Sequence, residues 1–443
     1  MAFQQALSGL NGASKAIDAT SHNIANSSTV GYKSSVAHFG DVYAASLAGA
    51  GSSQIGIGVN LSAIQQQFTQ GNITSTNNPL DISINGAGFF RMDQNGATTY
   101  SRNGQFHLDK NGYVINDQGM KLTGYAAQSG IVIPSTPSPI QISASDLSPQ
   151  ATGLNSSSTF NGVKASLNLD SRKTEPTTAL NDGGAAGSAT AFAPDPLSYN
   201  YSTALSIYDT LGNAHTQTFY FRKTANAGEW AVYSNVDGTT NQNVSSTTQA
   251  PAGQGPIGLL QFDSYGKLTS SPMTVTVDML NVMKSSGQPL GNGSLSPQTF
   301  TLDFTGTTQF GSAFGTNRLE QDGYAAGHLV GLSVGADGIV QGRYSNGQTF
   351  AQGQVVLANF TNPNGLQALG NNQWSETSTS GPALVGAPNT SNLGVLTSSS
   401  VEESNVDLTA ELVNLITQQR NYQANAQSIK TQDQIMQTLV NLR

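Results

Sequence analysis

The sequence predicts a multidomain α+β protein. N- and C-terminal helices form a coiled-coil inner domain, and mainly-β, discontinuous outer domains are nested by insertion between them. Three observations predict this. The chain has 443 residues, whereas single hydrophobic cores stop growing at about 250 to 300. Both ends carry apolar residues at alternating steps of four and three, the spacing of a helical seam. The stretch between them reads as short strands and glycine turns.

The first helix is marked by Phe3, Leu7, Leu10, Ser14, Ile17, Ser21 and Ile24. The last runs through Leu408, Leu412, Leu415, Gln419, Tyr422, Ala426, Ile429, Asp433, Met436 and Val440, with Gln419 and Asp433 as polar breaks. "SNVD" (Ser404 to Asp407) offers an N-cap with an acid three residues on. A helix from about 405 to 441 would be roughly 55 Å long, more than a small domain is wide. Stripes of this kind need apolar mates, and neighbouring copies are expected to supply them.

A turn phrase recurs in the middle: "LDKNGYV" at Leu108, "YDTLGNA" at Tyr208, "FDSYGKL" at Phe262, "MDQNGAT" at Met92 and the variant "VGADGIV" at Val334. Asp at the start of such a turn accepts a local backbone hydrogen bond, and Gly three positions later takes φ > 0. Gly, Ser and Pro concentrate in "SPQATGLNSSSTF" near Ser148 and "SSGQPLGNGSLSPQTF" near Ser285, as in linkers. A loop-like insert runs from Asn181 to Pro196. These marks divide the chain into a helical domain (1–25 with 404–443), a connecting segment (26–76 with 359–403), a discontinuous β domain (77–147 with 299–358) and an inserted outer β domain (148–298). In that division "NPLDISINGAGFFRM" and "FTLDFTGTTQFGSAF" are two halves of one domain.

Composition excludes several functions. Charged residues are 10% of the chain, against roughly 25% in ordinary domains. With net charge −8 and 18 scattered Lys and Arg, no basic footprint exists for nucleic acid. No apolar run reaches the ~18 to 20 residues that insertion across a bilayer requires. The first residues lack the basic and continuous apolar regions of a cleaved signal, so the chain is expected to stay inside the cell or to leave by a route that needs none. The absence of cysteine excludes disulfides, thiolate zinc and thiol catalysis. Neutral Ser, Thr, Asn and Gln can exchange partners between copies with little electrostatic penalty, so contacts between outer domains are expected to slide.

No chemistry assembles into an active site. "GLSVG" (Gly331 to Gly335) matches a hydrolase elbow, but that motif needs a following helix and a downstream His, and no His follows His328. His22, His38, His107, His215 and His328 fall in no metal-binding spacing, and no phosphate loop occurs. Glu402 and Glu403 precede a helix start, where the macrodipole favours acids. No catalytic residue, metal or cofactor is expected.

One segment is too particular for a filler loop: "SHNIANSSTVGYK", Ser21 to Lys33. Asn23 and Asn26 can cap a helix end or bond to local backbone, Gly31 permits a turn, and Tyr32 supplies an aromatic anchor with a polar tip. Together they would set the angle at which the chain leaves the helix. With the flanking helix, "NPLDISINGAGFF" and the C-terminal "VDLTAELVNLITQQRNYQANAQSIKTQDQIMQTL", the segment resembles the bacterial flagellar rod and hook family of axial proteins. The length, "YDTLGNAHT" and "TLDFTGTTQFGS" point to the hook members of that family. The resemblance covers about half the chain.

The resemblance implies that Asn23, Ile24, Ala25, Asn26, Thr29, Gly31, Tyr32 and Lys33 link an innermost helical layer to the next layer of a tube. It further implies a homopolymer located outside the cell in the hook of the flagellar basal body, bending while it transmits torque. The implied partners are the distal rod protein, the hook cap, the hook–filament junction proteins and the flagellar type III export apparatus. Two alternatives stand beside it. A distal rod protein shares the ends but lacks so large an insertion, and a secreted β-rich adhesin or glycan-binding protein would need an exposed aromatic cluster in the inserted domain.

Overall fold

The computed structural model describes residues 2–441 except 43–55, 57, 129, 144, 155–159, 181–193, 239–241, 244–255, 271, 278 and 280–292. Most of the 181–196 insert and the first half of the linker near Ser285 lie outside the described residues. The chain forms two compact units, one of residues 1–144, 330–343 and 349–443, the other of 145–329 and 344–348. Terminal helices and mostly-β units are both present.

In the first unit, helix α1 (Ala2–Ala25) and helix α2 (Leu408–Asn441) are joined by β structure. Asp407 caps α2, its Oδ1 accepting the amides of Thr409 and Ala410 at 2.9 and 3.1 Å. The cap therefore falls three residues later than "SNVD" suggested. Strands β1 (Ser35–Val42) and β2 (Gly58–Gln66) pair antiparallel and pack on α1. The main sheet runs in the order 329–334, 339–344, 349–355, 121–128, 89–94, 97–101, 373–375, 367–370. Ile82, Phe90, Met92, Leu122 and Val355 are among the buried residues of the first unit. Phe89, Tyr100, Phe360 and Trp374 form an aromatic cluster, against which Phe68 packs.

Two expectations about domain limits are corrected here. Residues 359–403 do not form a connecting segment, because strands 367–370 and 373–375 extend the main sheet and 384–386 pairs with 357–359. "FTLDFTGTTQFGSAF" does not share a domain with residues 78–92. Strand Gln298–Asp303 lies between 273–277 and 162–168 in the second unit. Alternating Phe300, Leu302 and Phe304 mark one apolar face, but alternation does not say which strand will lie beside it.

The second unit stacks a five-stranded sheet (242–243, 273–277, 298–303, 162–168, 315–321) and a four-stranded one (201–208, 214–223, 229–236, 258–261) across a shared core. Trp230, Phe219, Phe221, Val275 and Leu302 are among its buried members. The Asp turns recur with one geometry. Asp109, Asp209 and Asp263 each accept two backbone amides through Oδ1, at 2.7 to 3.0 Å, and Gly112, Gly212 and Gly266 have φ of 81°, 86° and 75°. "MDQNGAT" departs from this pattern. Asp93 stays on its strand opposite Thr98, and Asn95 and Gly96 make the turn at φ 54° and 90°, because Asn-Gly supplies both positive φ values of a two-residue hairpin.

His215 staples the Asp209 turn to the end of strand 229–236. Its Nδ1 lies 2.7 Å from Asp237 Oδ2, and its Nε2 3.7 Å from Asp209 Oδ2. Burial of the ring lowers its pKa, but the Asp237 bond and the two carboxylate charges outweigh this and hold it above 6.5. Asp209 and Asp237 are held below the usual carboxylate range; burial opposes this, but bonds from Asn213 and His215 prevail. The His215 contribution should therefore be complete below pH 6.5 and lost as pH rises through the folded value. The Asp contributions should be present above 3.8 and lost as pH falls through theirs. His215→Gln should cost about 1–3 kcal/mol at pH 6 and flatten the decline that the wild-type chain shows as pH rises through the folded His215 value. The urea midpoint of the second unit measured against pH, alongside imidazole NMR titration, checks this; an unchanged profile in the variant would refute it.

Candidate functional site at the exit of the first helix

The segment that leaves α1 is built from local hydrogen bonds. The Asn26 amide and its Nδ2 both donate to His22 O, at 3.2 and 2.9 Å, closing the last turn. Thr29 Oγ1 donates to Asn26 Oδ1 at 3.2 Å, and Tyr32 packs edge-on to His22. Gly31 has φ 71°, and a Cβ there would lie 2.6 Å from the Asn103 amide nitrogen. Only glycine fits this crossing over the Arg102–Asn103 peptide.

Asn23, 1% exposed, works as a clamp. Its Oδ1 accepts the Ser35 amide at 2.8 Å and the Tyr32 hydroxyl at 3.1 Å, while its Nδ2 donates to Ser35 O at 2.9 Å. The same Nδ2 reaches Glu411 Oε1 on α2 at 3.1 Å. One amide thus ties the helix end, the start of β1 and the second helix together. Asn372, at φ 55° in a hairpin turn, donates from Nδ2 to Val30 O at 2.8 Å. Ala25 lies exposed at the helix end and makes no such bond among the described residues.

Lys33, also 1% exposed, leads to residues that no local pattern marked. Its Nζ donates to Glu402 Oε1 at 2.6 Å and to Thr69 O at 2.7 Å. Glu402 Oε1 also accepts the Gly71 amide at 2.9 Å, and its Oε2 accepts Arg102 Nη1 at 3.1 Å. Arg102 Nη2 donates to Gly86 O at 2.7 Å, its guanidinium lies 5.5 Å from the Phe89 ring centre, and its Nε has no partner among the described residues. Glu402 O accepts the Gly31 amide at 2.8 Å. Glu402 is therefore no helix-start acid. It lies wholly buried on strand Ser400–Glu402, paired with Ile73–Ser75, where its one carboxylate faces two cations. Burial draws the Lys33 pKa below its ordinary value, with Glu402 opposing. Sequence reading missed Glu402 and Arg102 because they lie 369 and 300 positions from their partners.

Within one copy the large apolar stripes are mostly left uncovered. The face of α1 that is covered carries Ala6, Gly9, Ala13, Ala16, Thr20 and Asn23, a heptad of small residues. Of the expected stripe, Phe3 and Leu7 are exposed, while Leu10, Ile17 and Ile24 are half-buried. Small side chains let partners approach closely. Gly9 abuts Asn425 on α2, and Gly12 abuts Val59 and Phe39 on the hairpin. The Gly9–Asn425 and Asn23–Glu411 pairs make α1 and α2 antiparallel. Part of the mating thus occurs within one chain. On α2, Leu415, Ala426 and Ile429 are half-buried, whereas Leu408, Leu412, Tyr422, Met436 and Val440 are exposed.

Among the described residues no group of three or more His, Asp or Glu side chains could hold a metal ion, and no helix is long and apolar enough to cross a membrane. Ser333 lies on strand Leu329–Val334, followed by a turn into strand Ile339–Tyr344. Asn23, Lys33, Arg102 and Glu402 each bond to segments distant in the chain.

Four family descriptions match the chain in order: flagella basal body rod protein (3–33), flagellar hook protein FlgE/F/G D1 domain (83–146), flagellar basal body protein FlaE D2 domain (168–324) and flagellar basal body rod FlgEFG protein C-terminal (397–442). The flagellar hook protein FlgE of Escherichia coli is 40% identical over 449 residues, covering 100% of both chains. That of Salmonella typhimurium is 40% identical over 455 residues, again covering 100% of both. FlgE of Borreliella burgdorferi is 29% identical over 456 residues, 99% of this chain and 98% of its own. End-to-end likeness at this level, across helices, joint and β units alike, means that this chain belongs to the flagellar hook protein family.

Proposed function

We propose that the chain is the structural subunit of the bacterial flagellar hook, polymerising into a bendable helical tube that carries torque from rod to filament. What supports this most is the match along its whole length to hook proteins; the uncovered apolar side chains of α2 agree with it. In this reading residues 1–25 with 404–443 line the tube as a coiled-coil layer, the β units lie outward with the second nested in the first, and Asn23 to Lys33 form the joint between layers. The tube stands outside the cell. Its neighbours are the distal rod protein, the hook cap and the hook–filament junction proteins, and the flagellar export apparatus delivers the chain.

The rod alternative is not favoured, since the full-length relatives are hook proteins. Among its described residues the second unit exposes Tyr265 and Phe310 beside one turn, two rings rather than the cluster that a glycan-binding surface would need. Electron microscopy of purified protein under polymerising conditions tests the reading. Bendable tubes are expected; straight rods, or no assembly by the wild-type chain, would overturn it.

A further inference from the structure

Where α1 ends, the first unit brings together two extended segments, residues 31–35 and 67–71. Gln67 N donates to Ser34 O at 2.8 Å and Lys33 Nζ to Thr69 O at 2.7 Å, and a third segment, residues 400–405, grips both. On the first it holds the Gly31 amide through Glu402 O, the Lys33 ammonium through Glu402 Oε1 and the Ser34 amide through Asn405 Oδ1, at 2.8, 2.6 and 2.8 Å. On the second, Glu402 Oε1 accepts the Gly71 amide at 2.9 Å, while Asn405 Nδ2 donates to Gln67 O and Thr69 Oγ1 at 2.8 and 2.9 Å. The other end of this segment is fixed to β structure, by pairing with 73–75 and by a buried 2.7 Å bond between the Ser400 and Ser83 hydroxyls. Gly71 lies so close to it that a Cβ there would sit 2.1 Å from Glu403 O.

We infer that residues 400–405 are a strap that closes the exit of α1 as one unit, with Asn405 as its locking residue. For assembly this rests on the structural-subunit reading above, which it deepens by naming what fixes the helix exit to the β structure. Two causes make the closure cooperative. Without Glu402 the Lys33 ammonium would be buried beside Arg102 with no anion, so it stays hydrated and residues 31–35 cannot pack. Without Asn405 the Ser34 amide and the Gln67 carbonyl lose their partner together, because one side chain serves both segments. The strap also follows 31–35, 67–71 and 102 in chain order. A chain made from its N-terminal side onward therefore lacks this closure until the strap itself has been made, and an unfinished chain cannot hold its helix exit in the shape that a regular tube requires.

Hydrogen exchange in the full-length monomer tests the strap and needs no polymer. In N405A the amides of Gly31, Ser34, Ser35 and Gly71 should all exchange faster by one common factor, about tenfold or more. Asn405 touches only Ser34 among them; Ser35 is held by Asn23 Oδ1, and Gly31 and Gly71 by Glu402. Amides of strand 89–94 should keep their wild-type rates. A rise confined to Ser34 would overturn the inference, as would an equal rise in strand 89–94. G71A, whose new methyl group presses on Glu403 O, should speed Gly31, Ser34 and Ser35 from the opposite side, and unchanged rates there count equally against the strap. If N405A does not fold, exchange of the wild-type chain in rising urea decides. The four amides should share one opening free energy and one urea slope, both below those of strand 89–94, and unequal values among the four would overturn the inference. Failure of the wild-type chain to polymerise would instead strike the function proposed above.

Discussion

Glu402→Ala is expected to destabilise the joint by about 3–5 kcal/mol, since it leaves Lys33 and Arg102 buried without an anion. Lys33→Met should cost less than half as much. Glu402 would then keep the Arg102 contact and the Gly71 amide, and the remaining pair would be electrically balanced. The asymmetry follows from charge counting: removing the single carboxylate strands two cations, whereas removing one cation strands none. Hydrogen exchange at the Gly31 amide, which donates to Glu402 O, reads the local opening. At 1.4 kcal/mol per factor of ten, exchange in Glu402→Ala should be at least a hundredfold faster. Equal effects of the two substitutions would show that the triad is not electrostatically limited.

Leu412→Asp should abolish tube formation while leaving the chain folded. Leu412 is 44% exposed, so a charge there stays hydrated in the free subunit, with a cost within about 0.5 kcal/mol. In the proposed polymer the same charge would be buried in every copy. A penalty of about 3 kcal/mol per contact raises the concentration needed for assembly more than a hundredfold. Leu415→Asp tests a different thing, because Leu415 is half-buried on the side facing α1 and its loss should weaken the chain's own helical pair. Sedimentation and microscopy give polymer yield, and circular dichroism gives the fold. Tubes from Leu412→Asp at wild-type concentrations would remove the lining role from this part of α2.

Much of the candidate site was legible because its chemistry is local. Asn26 closes a helix on its own preceding turn, and Gly31 turns the chain where a side chain cannot fit. The Asp turns at 109, 209 and 263 were legible for the same reason, each bond spanning two to four residues. At Asn95 a stronger local rule displaced the expected one. The face of α1 covered within the chain carries no large apolar stripe to announce it, because close approach to α2 and the hairpin selects Ala and Gly.

The sequence by itself determined the helical ends, the β middle, the turns, the absence of thiol chemistry and, through long ordered motifs, the family. Tertiary structure alone decided that Glu402 pairs with Lys33 and Arg102, that strand 298–303 belongs with 162–168, and which side of each helix is left uncovered. The first group rests on interactions among residues a few positions apart, whose geometry the chain enforces wherever it folds. The second depends on which distant segments come to exclude water together, and a buried charge or an apolar strand edge carries no label naming its partner.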